Sequence, residues 1–107
     1  LLFPRGDVTG HKPALIVAIS SGLGGSYPVN ELRISGYKNT KICFIPDHVI
    51  IRHVESVLND YKEVADKSDE RIRKRLNHTL DMLHHYSQAF KQMRNSDFEF
   101  NKFSNGM

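Results

Sequence analysis

The sequence of 107 residues contains no tryptophan and one cysteine, Cys43. A single cysteine excludes an internal disulfide and any zinc site built from several thiolates. Because Cys43 lies in the apolar run 42–45, we expect a buried thiol in a reducing compartment. No apolar run approaches the roughly 18 residues that a membrane-spanning helix needs, and residues 1–6 lack the features of a signal peptide. These absences predict a cytoplasmic protein that does not enter a membrane.

A large excess of charge of one sign is also missing. The net charge is +3, which favours solubility and weak attraction to anions but falls short of a nucleic-acid-binding protein. A basic cluster comprises Arg71, Arg73, Lys74 and Arg75. We expect these charges to fan around a helix and to pair with acidic residues at 63–70 just upstream, so no nucleic-acid partner is expected.

The main positive feature is an apolar strand that ends in a glycine-rich loop. Residues Ala14 to Ile19 are continuously apolar, which predicts a strand buried on both faces inside a parallel sheet. A helix from about Pro28 to Ser35 should follow, with Ser26 or Tyr27 as its N-cap and Gly36 as its C-terminal stop. The loop between them comprises Ser20, Ser21, Gly22, Leu23, Gly24, Gly25 and Ser26.

The rest of the chain adds one strand and one long helix. A second strand from Lys41 to Ile45 is predicted to end at Pro46 and to complete a parallel βαβ unit. Residues 47–59 are ambiguous, because His48 to Ile51 could form a short strand and Val54 to Leu58 a helical turn. Residues 1–11 are expected to be irregular. A helix should begin after Ser68 as its N-cap and reach about Arg94. Its predicted core-facing stripe comprises Ile72, Leu76, Leu80, Leu83, Ser87 and Phe90.

Two parallel strands are too few to close an α/β domain, because parallel sheets need cover on both faces and usually have about four to six strands. Either another part of the polypeptide or a partner chain must complete the sheet, and the abrupt opening at residues 1–4 favours the first. A second apolar stripe on the long helix favours contact with another subunit, although the phenylalanine-rich tail could cover it instead. That stripe comprises Met82, Tyr86, Ala89 and Met93.

The loop has the composition of a site for an anion or for a flat ring edge that carries carbonyls and an imide. Gly22, Gly24 and Gly25 permit positive φ and let backbone N–H groups approach a ligand. The dinucleotide pattern G-x-G-x-x-G fails because residue 27 is tyrosine, and the P-loop fails because no Gly-Lys-Ser/Thr is present. A tight strand-to-helix turn that binds nothing is the alternative.

The six histidines do not predict a metal site. His78, Asp81 and His85 share one helical face, but a helix surface alone rarely completes a closed site, so we expect a solvated polar face and no metal.

Residues Lys12–Val17, Ser20–Gly25 and Asn30–Arg33 resemble the NADPH-dependent FMN reductase family of flavodoxin-like proteins, which includes azobenzene and quinone reductases. Pro46–Val49 is similar to the Pro-x-x-Val that follows in that family, and Asn105–Met107 is similar to the tail of several members. The family's amino-terminal Gly-Ser-x-Arg stretch, which binds the flavin phosphate, is absent. The resemblance therefore implies an α/β, flavodoxin-like parallel sheet with helices on both faces, of which residues 1–107 form the carboxyl-terminal portion of a single domain.

The same resemblance implies an activity. The loop Ser20–Ser26 would lie against the isoalloxazine end of FMN with its N–H groups facing the pyrimidine edge. Hydride would pass from NADPH or NADH to the flavin and on to a small electron acceptor, a quinone, an azo compound or a free flavin, with no catalytic side chain. Family members are commonly homo-oligomers, dimers or tetramers. The alternative is a flavodoxin-like binding or assembly subunit, or a truncated fragment, that binds no flavin.

Overall fold

The computed structural model describes residues 6–103, which form an α/β protein. The elements in chain order are α1 (Gly6–Thr9), β1 (Pro13–Ile19), α2 (Ser26–Ser35), β2 (Cys43–Ile51), a 3-10 turn (Val54–Ser56) and α3 (Lys67–Arg94). The single helical turn α1 corrects the expectation that residues 1–11 are irregular. The opening residues 1–4 and the closing Asn105–Met107, both used in the sequence interpretation, lie outside the described residues.

β1 and β2 pair in parallel, as the sequence predicted. The prediction that the second strand ends at Ile45 is wrong, because β2 continues through Pro46 to Ile51. Ala14 pairs with Phe44 whereas Ile16 pairs with His48, so β2 bulges between these two rungs. Proline has no N–H to donate to a neighbouring strand. Because Pro46 lies in the bulge, the pairing of β1 with β2 does not require a backbone donor at that position.

The two longer helices cover opposite faces of this sheet. One apolar cluster joins Ile16 and Ala18 of β1 to Val29 of α2, with Ile50 packed against it. The other joins residues 49 and 51 of β2 to Val57, with Ile72 and Leu76 of α3 packed against it. Successive residues of a strand point to opposite faces, so the alternation of 49, 50 and 51 between the clusters separates α2 from α3.

One face of β1 is left partly uncovered among the described residues. Val17 is 40% and Ile19 60% exposed, whereas Ile16 and Ala18, which point the other way, are each 4% exposed. The prediction that this strand is buried on both faces is therefore wrong for residues 6–103. The radius of gyration, 16.4 Å, also exceeds the value of about 13 Å expected for a compact domain of this length. The sheet is thus only partly enclosed.

α3 begins two residues earlier than predicted, with a different cap. Asp66, not Ser68, is the N-cap, and its carboxylate accepts a hydrogen bond from the N–H of Asp69 at 2.9 Å. Asp69 is fully buried and accepts from the N–H of Leu58 at 2.8 Å and of Ala65 at 2.9 Å. These two backbone donors, more than the nearby Arg73, hold the pKa of Asp69 below its ordinary value. One carboxylate thus fastens the segment 58–65 to the first turn of α3.

The buried face of α3 differs from the predicted stripe at two positions. Thr79 is fully buried and Leu80 is 47% exposed, so the face passes through 72, 76, 79 and 83. Thr79 can occupy this place because its hydroxyl donates to the carbonyls of Arg75 and Leu76 within the helix. Ser87 and Phe90 are half-buried, as Ile72, Leu76 and Leu83 are, so these members of the predicted stripe share one degree of burial.

α3 has 28 residues and a length of about 42 Å, and its last residue, Arg94, donates to the carbonyl of His11 at 2.9 Å, two residues before β1. Of the second predicted stripe, Met82, Tyr86 and Met93 are half-buried and Ala89 is exposed. Within residues 6–103, no helix combines the length and the apolar character needed to cross a membrane.

Replacing Asp69 with asparagine is expected to lower the free energy of unfolding, because an amide NH₂ cannot accept the hydrogen bonds that the carboxylate accepts. Since the folded-state pKa of Asp69 lies below its ordinary value of 3.8, this stability is fully present above that value and is lost as the pH falls through the folded-state pKa. Urea unfolding from pH 7 to pH 3 should therefore show the Asp69→Asn deficit shrinking on acidification.

Asp81→Asn is the matched control, because Asp81 is exposed on the same helix and has no partner among the described residues. Equal stabilities of the two variants at pH 7 would contradict the role assigned to Asp69.

Candidate functional site

The glycine-rich loop, residues 20–26, lies at the carboxyl end of β1, as predicted. The last rung between the strands is the hydrogen bond from Ser20 N–H to Ile51 O at 2.9 Å. Val54 N–H returns to Ser20 O at 3.2 Å, so the first loop residue is held on both its backbone groups. The residues that follow β2 therefore form a base against which the loop is fixed.

The loop carbonyls are turned toward this base and toward α2. Gly22 O accepts from His53 N–H at 3.4 Å and from the Ser20 hydroxyl at 2.8 Å. Leu23 O accepts from Arg52 Nε at 3.0 Å, and Gly24 O accepts from Tyr27 N–H. The acceptors of the loop are consequently engaged.

The N–H groups of loop residues 21–26, in contrast to the loop carbonyls, are not engaged in hydrogen bonds among the described residues. None of the six backbone N–H groups from Ser21 to Ser26 donates to an acceptor within the described part of the chain. Ser21, Leu23, Gly24 and Ser26 are exposed. A polar backbone group needs a partner, either water or a ligand, so this surface is rich in available donors. It suits a ligand that presents several acceptor oxygens.

The expected reason for the glycines is partly wrong. No described glycine has positive φ, so the loop does not use glycine for a left-handed conformation. Gly25 is required for a different reason, because a Cβ there would lie 2.6 Å from Cγ2 of Ile50 on the adjacent strand. Gly22 has no atom within 4 Å of such a Cβ, and at Gly24 only the Tyr27 ring is near, at 3.8 Å. Two of the three glycines thus leave open space above the backbone.

The start of α2 is also displaced from the prediction. α2 begins at Ser26 with Gly25 as its N-cap, so neither Ser26 nor Tyr27 caps it, and no side chain accepts from its first turn. The positive end of the helix dipole is therefore directed at the loop without a local carboxylate to neutralise it. Leu23 and Tyr27 flank this end, 73% and 77% exposed.

The structure also brings most of the basic cluster to one side of α3, where the sequence predicted charges pointing in different directions. An open groove of about 960 Å³ lies between β2 and the first half of α3. Arg71, Lys74 and Arg75 line it, whereas Arg73 turns away to Asp69. The prediction that the basic cluster fans around its helix is thus wrong for three of its four members. The sequence does contain a sign of this shared face, because positions 71, 74, 75 and 78 are spaced by three and four residues.

Other candidate groups have structural surroundings. Cys43 is half-buried, and burial raises the pKa of its thiol. Its Sγ lies 3.9 Å from the carbonyl of Lys41. Across residues 6–103, no three His, Cys, Asp or Glu side chains are grouped so that they could hold a metal ion.

No family model, curated protein or solved structure matches this chain. The resemblance to FMN reductases therefore stays a prediction from the residue pattern, and the loop geometry is the independent observation that bears on it.

Gly25→Ala is expected to destabilise the protein by about 1–3 kcal/mol, because the new methyl group must displace the Ile50 side chain from the sheet. Gly22→Ala adds the same methyl group to open space and should change the free energy of unfolding by no more than about 0.5 kcal/mol. Urea denaturation of both variants measures the difference. Equal stability of the two variants would contradict the packing of Gly25 on β2.

Proposed function

We propose that this chain is the carboxyl-terminal portion of a flavodoxin-like, NADPH-dependent FMN reductase, with residues 20–26 against the ring of FMN. The row of unpaired N–H groups from Ser21 to Ser26 carries this proposal. It lies at the carboxyl end of a parallel strand, where open α/β sheets bind their ligands.

The residues present fit the ring edge of a flavin. The pyrimidine edge of the isoalloxazine carries two carbonyl oxygens, which require donors, and the loop offers donors while its own carbonyls at 22, 23 and 24 are engaged. Gly22 and Gly24 leave space for a flat ring to approach the backbone. The exposed side chains of Leu23 and Tyr27 offer apolar surface on either side. No carboxylate of the loop would oppose negative charge on the ligand.

When bound, FMN supplies the capacity to accept a hydride from a reduced nicotinamide and to pass electrons on to a quinone, an azo compound or a flavin. The contribution of this chain is to orient the flavin ring and to polarise its carbonyl groups. N–H groups of the loop bind the carbonyl edge, and the uncapped start of α2 stabilises negative charge there. No side chain of the loop is assigned a role as acid or base.

The partly uncovered face of β1 supports the proposal that residues 1–107 are part of a larger domain. Val17 and Ile19 are exposed on a strand whose other face is closed by α2. Apolar residues in the middle of a parallel sheet are normally covered by helices on both faces. The segment that binds the flavin phosphate would belong to the part of the domain that supplies this cover.

Gly22→Trp in the full-length protein is expected to weaken FMN binding at least about tenfold, because the indole would occupy the open space above the loop. The melting temperature of the flavin-free protein should stay unchanged, since nothing lies within 4 Å of the substituted position. Flavin absorbance after purification and titration with FMN measure the first quantity, and thermal unfolding measures the second.

Gln92→Trp, at an exposed position near the end of α3, is the matched control and should retain FMN. Unchanged FMN affinity in Gly22→Trp would show that the loop is not part of the FMN site. A full-length wild-type protein that takes up no FMN would favour the second candidate, a flavodoxin-like assembly subunit.

A further inference from the structure

The groove between β2 and α3 adjoins the loop 20–26 at Arg52 and His53 but has its own chemistry. Its basic residues are Arg52, His53, Arg71, Lys74, Arg75 and His78. Arg52 and His53 follow the end of β2, and the other four belong to α3. Cationic side chains therefore line both walls.

The α3 wall is a regular helical face. Positions 71, 74, 75 and 78 are spaced by three and four residues, which places their side chains on one side of an α-helix. Arg73 is excluded from this face because its Nε donates to Asp69 at 2.9 Å and its Nη2 donates to the carbonyls of Asp60 and Glu63. The basic cluster thus divides into one structural arginine, Arg73, and three residues that share a wall of the groove with His78.

One carboxylate, that of the N-cap Asp66, also lines the groove, but it accepts from Asp69 N–H and does not fully compensate the cationic charge. Arg71 has no hydrogen-bond or ion-pair partner among the described residues, and Arg52 donates only to a backbone carbonyl. Lys74 pairs with Glu70, and Arg75 with Asp47 at 2.9 Å. Such exposed pairs contribute little stability and can be exchanged for a stronger anion. Two guanidinium groups, one on each wall, remain without a carboxylate.

The floor of the groove is apolar. Val49 and Val57 are 1% and 5% exposed, and Ile72 packs beside them. Ser56 and Ser68 add hydroxyl groups at the margin. Cationic walls above an apolar floor suit an organic molecule that carries phosphate groups.

The size of the groove narrows the class of ligand. About 960 Å³ lies near the upper end of the range, roughly 300 to 1,000 Å³, that small-molecule sites occupy. The basic face from Arg71 to His78 extends about 10 Å along the helix axis, enough for two or three consecutive phosphates. We propose that this groove binds a nucleotide with two or more phosphates, which the guanidinium groups of Arg52 and Arg71, neither of them paired with a carboxylate, clamp from opposite walls. The proposal does not rest on the flavin site.

Calorimetric titration of the full-length protein with ADP tests it, with pyrophosphate and adenosine as partial ligands. ADP should bind more tightly than pyrophosphate, and adenosine should not bind. Arg71→Glu should weaken ADP binding about tenfold or more, because it replaces the unpaired cation of one wall with an anion. Lys91→Glu makes the same change of charge at an exposed position of α3 outside the groove and should alter the affinity less than about twofold.

Three results would overturn the proposal. Equal loss in Arg71→Glu and Lys91→Glu would show that ADP responds to the overall charge and not to this groove. Equal affinity for ADP and adenosine would show that the groove does not recognise the phosphates. A single-stranded oligonucleotide that binds more tightly than ADP, and that Arg71→Glu also weakens, would make the groove a nucleic-acid surface. FMN binding by Arg71→Glu, measured in parallel, should equal that of the wild type and separates this site from the loop.

Discussion

The parallel pairing of β1 with β2 is the constraint on which both candidate sites depend. Its last rung, from Ser20 N–H to Ile51 O, places the carboxyl ends of the two strands side by side. Residues 52–54 then lie directly under the loop and supply the donors that hold its carbonyls. Without this pairing the carbonyls of Ser20 and Leu23 would lose the donors that Val54 and Arg52 supply, and Arg52 would not lie between the loop and the basic groove. A two-stranded sheet is marginal in isolation, so helices on both faces and the Asp69 carboxylate, which fastens α3 to the segment after β2, are needed to maintain it.

The unequal use of backbone groups in the loop is the physical basis of the proposed function. The N–H groups of Gly25 and Ser26 are free because every helix start leaves its first N–H groups without an intrahelical partner. The four N–H groups from Ser21 to Gly24 are free in addition, while the carbonyls of residues 22, 23 and 24 are engaged. Water can satisfy those groups, and a ligand with acceptor oxygens can satisfy them together in one geometry. Glycine contributes through space and not through left-handed backbone: Gly25 allows the close approach to Ile50, and Gly22 leaves the outer surface open. The donors, the uncapped helix start and the open surface therefore occur at one place.

Several features could be predicted from the sequence because their causes are local. The apolar run 14–19, the glycines after it and the next apolar run fix the order strand, loop, helix, strand and its parallel sense. Other features depend on residues distant in the chain. Pro46 remains inside β2 because the pairing with β1 bulges there, and Asp66 replaces Ser68 as the cap because Asp69 is recruited by Leu58 and Ala65. Thr79 displaces Leu80 from the buried face because its hydroxyl is satisfied within the helix. The basic face of α3 was not predicted, because Arg73 was grouped with Arg71, Lys74 and Arg75 and the four together share no face. Arg73 has partners in the preceding segment, which the sequence does not reveal.

The amide NMR spectrum of the full-length protein, recorded with and without FMN, tests the central claim most directly. If the free N–H groups hold the ring edge, the signals of residues 21–26 move on addition of FMN. The amides of His53 and Val54, which already donate to loop carbonyls, should move less. Movement confined to other parts of the protein, with the signals of 21–26 unchanged at saturating FMN, would contradict the assignment of this loop to the flavin.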